Sequence, residues 1–125
     1  MKAVATDKAP GAIGPYSQAQ IVGNFVYASG QVGVDPATGK FAGDDAPAQA
    51  RQALKNAQAI LEAAGTSLDK VFKTTVFLTD MANFAPVNEV YGTFFKEGAY
   101  PARSCVAVAE LPVKALVEIE VIAEL

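Results

Sequence analysis

The stretch Val117-Glu118-Ile119-Glu120-Val121-Ile122-Ala123-Glu124 decides the fold class through its alternation. Successive side chains on a strand point to opposite faces, so Val117, Ile119, Val121 and Ala123 form one apolar face, and Glu118 and Glu120 share the other. Just upstream, Ser104 to Ala109 reads as a second strand, joined to the first by a turn around Leu111-Pro112. In it Ser104, Val106 and Val108 alternate with Arg103, Cys105 and Ala107. Pairing the two strands as neighbours with their apolar faces matched places Arg103, Cys105, Glu118 and Glu120 together on the far side of a sheet.

Working outward, Ser17 to Ile21 and Phe25 to Ser29 predict a hairpin across Val22-Gly23-Asn24, and Asp35-Pro36-Ala37-Thr38-Gly39-Lys40 predicts a loop. From Ala46 to Ala64 the residues Ala50, Leu54, Ala57, Ile60, Leu61 and Ala64 recur at helical spacing, with Asp44 and Asp45 favouring the dipole at the start and Gly65 stopping it. Val71 to Leu78 is rich in Val, Thr and Phe, as a strand should be, and its Lys73 must reach a surface or a partner. Asn83 is the expected cap of a second helix whose apolar stripe is Val87, Val90, Tyr91, Phe94 and Phe95. Strands and helices in this order predict one α+β domain over 1–125: a mixed sheet with two helices on its apolar face. The β-α-β then α-β-β order hints at two related halves. The opposite face is then left open, and another subunit is its expected cover. Phe84 and Asn88, four residues apart, share an edge of the second helix and lean over a rim of the polar site.

Composition removes whole classes of chemistry. The 125 residues include no histidine and a single cysteine, Cys105, so a histidine triad, a histidine-ligated metal and a dithiol centre are excluded. Ten basic residues against thirteen acidic ones give a net charge of −3, with no basic cluster, which disfavours nucleic acid as a partner. No stretch approaches the roughly 18 consecutive apolar residues that span a bilayer, and no leader is evident, so neither a membrane partner nor export is expected. A lone cysteine suits a reducing interior, and a cytoplasmic location is expected.

The blocks Ala9-Pro10-Gly11-Ala12-Ile13-Gly14-Pro15-Tyr16-Ser17-Gln18, Ser29-Gly30-Gln31, Lys73-Thr74-Thr75-Val76, Val87-Asn88-Glu89-Val90-Tyr91, and Pro101-Ala102-Arg103 with Val117-Glu118-Ile119-Glu120 resemble, in order, the RidA/YjgF family of reactive intermediate (enamine/imine) deaminases. The resemblance implies a chorismate-mutase-like fold, a homotrimer with clefts between subunits, and hydrolysis of short-lived 2-enamines and 2-imines, such as 2-aminoacrylate, to 2-keto acids and ammonia. It implies that Arg103 grips the substrate carboxylate and Glu118 positions the water, as catalytic residues. It further implies that Tyr16, Ser29, Gly30, Phe84, Asn88 and Cys105 bind substrate, that no metal or cofactor takes part, and that the partners are a small 2-imino or 2-keto acid and further copies of the chain. An iminium carbon is already electrophilic, so orientation and a placed water suffice. From the residues alone, Arg103 and Glu118 equally fit a structural ion pair at an interface, and Cys105 fits a small apolar wall residue. A non-catalytic keto-acid-binding or holdase-like protein and, less well, an endoribonuclease are the alternatives.

Overall fold

The strand Val117–Glu124 sits inside the sheet, hydrogen-bonded on both edges, and the rest of the fold is arranged around it. A computed structural model describes all of residues 1–125. In chain order the elements are β1 (Lys2–Val4), β2 (Ala19–Val22), β3 (Phe25–Ala28), β4 (Gln31–Val32), β5 (Val34–Asp35), β6 (Lys40–Phe41), α1 (Ala46–Ala63), β7 (Val71–Leu78), α2 (Phe84–Gly92), β8 (Ala102–Ala107) and β9 (Val117–Glu124). The main sheet runs β1-β2-β3-β9-β7-β8, and β4 continues the line of β3 along β9. Every pairing is antiparallel except β7 with β8. The sheet is therefore mixed, and with two helices the α+β expectation holds.

The expected pairing of the last two strands does not occur. β8 and β9 are not neighbours, because β7 lies between them and pairs with both. The cause is α2: a helix placed between two strands returns the chain parallel to its starting strand, so β8 pairs with β7 as the second strand of a β-α-β unit. The segment around Leu111-Pro112 is then a crossing over the end of β7 rather than a hairpin turn. Val108 N–H donates to Leu78 O, and Thr79 N–H donates to Leu116 O, which places the end of β7 between the two arms of that connection. β8 also begins earlier than expected, at Ala102. The N-terminal strand β1 and the short β5–β6 hairpin, where a loop was expected, are further additions; three- and two-residue strands leave no periodicity to read.

Both helices cover the face carrying Val26, Val76, Leu78, Val117, Ile119, Val121 and Ala123, all at most 1% exposed. α1 is fixed at its start by Asp45, whose Oδ1 accepts from Ala48 N–H at 2.9 Å. Its buried Asn56 donates Nδ2–H to Val32 O and Val34 O, at 3.2 and 2.9 Å, and so satisfies carbonyls where β4 gives way to β5. α1 lies close here: a Cβ on Gly33 would stand 2.4 Å from the Gln49 Cα, so only glycine fits. The expected Asn83 side-chain cap on α2 is absent. Asp80 instead accepts from Ala82 N–H at 2.9 Å, capping a single 3-10 turn that runs into α2. α2 ends at Gly92, so of its expected stripe Val87, Val90 and Tyr91 are buried within the helix, while Phe94 and Phe95 pack half-buried just beyond it. No helix is long and apolar enough to cross a membrane.

The opposite face has no helix over it. It presents Tyr27, Phe72 and Val106, between 41% and 47% exposed, together with half-buried Glu118 and Glu120. Lys73 finds the partner its position demanded, donating from Nζ to Ser104 Oγ across β7 and β8 at 3.0 Å.

Candidate active site

Register fixes where each candidate side chain points, since directly paired residues share a face. On β8, Arg103 pairs with Thr74 and Cys105 with Val76. Thr74 and Val76 are buried beneath the helices, so Arg103 and Cys105 lie on the helix-covered face. On β9, Glu118 pairs with Phe77 and Glu120 with Thr75, which belong to the open face. Arg103 and Glu118, expected side by side, therefore leave the sheet on opposite sides, and the eight candidate residues divide into two groups.

The first group gathers at the edge of the sheet beneath α2. Phe84, Asn88 and Tyr91 fall at i, i+4 and i+7 and so line one side of that helix. Asn88 Oδ1 accepts from Arg103 Nη1 at 2.6 Å. The guanidinium carbon stands 4.8 Å from the centre of the Tyr91 ring and 5.6 Å from that of Phe84. Arg103 is thus held by a neutral amide and two aromatic rings, with most of its five donors left over. Beside it, Asn88, Tyr91, Gly92, Tyr100, Pro101 and Arg103 line a cleft of about 400 Å³. Cys105 is half-buried one step along the same face; burial pushes its thiol up from the usual value, against the lowering pull of Arg103. A thiol kept protonated serves as a wall rather than a nucleophile.

The second group has Gly30 against Glu118, Ser29 next to Gly30 in the chain, and Tyr16 apart from them. Gly30, in the break between β3 and β4, lies so close that a Cβ there would come 2.6 Å from Glu118 Oε1. The absent side chain is what makes room for the carboxylate. Ser29 Oγ donates to Ser17 O at 2.6 Å, tying this break to the segment that carries Tyr16. Tyr16 is itself 53% exposed and belongs to a separate cleft of about 550 Å³, formed with Thr6, Asp7, Ser17 and Gln18. Burial raises the Glu118 carboxyl above the ordinary range, and the nearby Glu120 raises it further. The group is therefore a better proton acceptor than a solvated glutamate.

Sequence reading missed Tyr91 and Thr74. Tyr91 was read as part of an apolar stripe, yet its hydroxyl makes a buried 2.7 Å hydrogen bond with Thr74 Oγ1. The available signals were its spacing, three residues beyond Asn88, and the presence of Thr74 and Tyr91 in two of the family-like blocks.

Residues 6–125 match the family model described as Endoribonuclease L-PSP. Over 124 residues the chain is 52% identical to a Salmonella typhimurium protein named 2-iminobutanoate/2-iminopropanoate deaminase, covering 98% of this chain and 96% of that one. The solved structure of RidA from the Antarctic bacterium Psychrobacter matches with a TM-score of 0.95 at 50% identity, covering 100% of both chains. E. coli TdcF, solved with bound serine, matches with a TM-score of 0.93 at 47% identity, covering 100% of this chain and 99% of that one.

Proposed function

The chain belongs to the Endoribonuclease L-PSP (YjgF/RidA) family, and from that premise we propose that it is a hydrolytic deaminase of short-lived 2-enamines and 2-imines, releasing 2-keto acids and ammonia. The observation that carries this reading is Arg103, an oriented guanidinium fork whose side-chain hydrogen bond goes to neutral Asn88. Such a fork takes a carboxylate through two parallel charge-assisted bonds.

In this reading Arg103 holds the substrate carboxylate, with Phe84 and Asn88 beside it. Glu118 takes a proton from water as its oxygen bonds to the iminium carbon. The tetrahedral carbinolamine then collapses: Glu118 returns its proton to the amino group, the C–N bond breaks to release ammonia, and the hydroxyl proton passes to Glu118 and on to solvent as the carbonyl of the keto acid forms. The raised proton affinity of Glu118 suits both transfers.

Since the two groups leave opposite faces of the sheet, one chain supplies half of each site. Arg103, Phe84, Asn88 and Cys105 of one copy face Glu118, Gly30, Ser29 and Tyr16 of the next, in a homotrimer with a cleft at each junction. The uncovered sheet face, with exposed Tyr27, Phe72 and Val106, supports such an assembly.

The bound serine in the TdcF structure favours one second reading, a sensor that binds small carboxylates without turning them over. An endoribonuclease role, despite the family description, fits poorly with a net charge of −3 and no histidine. The deciding experiment couples a serine or threonine dehydratase to the purified chain and follows keto acid release in the presence of an amine trap. Acceleration by wild type, lost in Glu118→Ala while keto acid binding persists, supports the deaminase. Binding without acceleration leaves the sensor.

A further inference from the structure

Thr74 and Arg103 are direct partners on neighbouring strands, and the side chain that joins them belongs to neither: Tyr91 of α2 bonds Thr74 through its hydroxyl and presents its ring to the guanidinium. The ring is 6% exposed and backed by Phe95, with ring centres 4.7 Å apart. Arg103 by contrast is exposed, on a long stem at a sheet edge, with Asn88, Phe84 and Tyr91 as the side chains that hold it. An unrestrained arginine loses considerable side-chain freedom on gripping a ligand, and a restrained one much less.

We propose that Tyr91, locked by Thr74, is a positioning residue that pre-aims the Arg103 fork at the substrate carboxylate. This rests on the reading of Arg103 as the carboxylate grip. Asn88 holds one end of the guanidinium at Nη1, the Tyr91 ring lies 4.8 Å from its central carbon, and Arg103 lines the cleft with Tyr100 and Pro101. Hydrogen bond and ring have separable roles: the ring acts on Arg103, and the hydroxyl acts on the ring.

The test is the binding of 2-oxobutanoate, measured by calorimetry on the purified chain and its variants, alongside imine turnover. Tyr91→Leu should weaken binding about tenfold and raise KM by a similar factor with kcat nearly unchanged, while Tyr91→Phe, which keeps the ring, should stay within about threefold of wild type. In an Arg103→Lys background, Tyr91→Leu should add less than about twofold, since no planar fork is left to aim. Equal losses in both backgrounds would reveal a merely structural tyrosine and overturn the proposal. So would wild-type affinity in Tyr91→Leu. The Arg103 Nε–H resonance of the wild type gives an answer whatever the variants do: it should be shifted by the ring current, and an unshifted position overturns the proposal. Keto acid binding that follows this pattern without any turnover would sink the deaminase reading and leave the role of Tyr91 standing, whereas no binding by wild type sinks both.

Discussion

Arg103 and Glu118 project from opposite faces of one sheet, the first in register with Thr74 and the second with Phe77, three residues further along the same strand. An odd offset along β7 reverses the face. The two side chains are therefore no intrachain ion pair, and each is left with its charge uncommitted within the chain. Arg103 takes a neutral amide and two rings as neighbours, while Glu118 takes a glycine and a second carboxylate. Neither environment is that of an ion pair built for stability within the chain.

Replacing Arg103 by lysine keeps the charge and removes the fork. A hydrogen bond to a charged group contributes roughly 1.5–3 kcal/mol, so losing one of two should lower kcat/KM on the order of tenfold to a hundredfold. Thermal stability should hardly change, because the side chain is exposed. Steady-state kinetics of coupled keto acid release give the answer, and unchanged kcat/KM would remove Arg103 from the grip.

Glu118→Gln separates the chemistry from the cost of the charge. Burial and Glu120 raise the carboxyl in the folded chain, so the folded state binds the proton more tightly than the unfolded state. That contribution favours folding below the unfolded value of about 4.3 and is lost as pH rises through the folded value. At pH 7 the glutamine variant should accordingly melt higher than wild type, and this advantage should vanish below about pH 4, where both forms are neutral. Turnover should be lost throughout. A variant less stable than wild type at pH 7 would contradict the account of Glu118.

Gly30→Ala tests the close approach behind the carboxylate. Its new methyl group would stand 2.6 Å from Glu118 Oε1, and the flexible glutamate would give way. Melting should shift little, whereas keto acid release should fall by at least about tenfold if displacing the base by about 1 Å spoils the geometry. A variant with full activity would show that the position of Glu118 is not set by Gly30.

Asn56→Leu is a test of the scaffold alone. Asn56 is buried, donates to Val32 O and Val34 O, and accepts from Gln52 Nε2 at 2.8 Å. Each buried group left without a partner costs about 1–3 kcal/mol, so denaturant unfolding should show a loss of at least that size. A loss under about 0.5 kcal/mol would mean that other groups or water take over those carbonyls.

The longer elements were legible in the sequence, whereas β1 and the β5–β6 hairpin were not. The alternation in Val117–Glu124, the Val-, Thr- and Phe-rich stretch Val71–Leu78 and the helical period from Ala46 to Ala64 reappear as β9, β7 and α1 within a residue, because local pattern dictates which side of an element is buried. The same pattern put Phe84 and Asn88 at a rim of a polar site on the open face; the structure has them beside Arg103 on the helix-covered face. Which strand lies next to which is a matter of long-range packing. A connection of nine residues between Ala107 and Val117 is compatible with a turn back along the same strand or with a crossing past another, and alternation is blind to the difference. Strand pairing is settled by α2 packing on the core and drawing β8 parallel to β7. That non-local choice moved Arg103 to the other face from Glu118 and brought the Tyr91 ring over it, since both depend on contacts between residues that no local period connects.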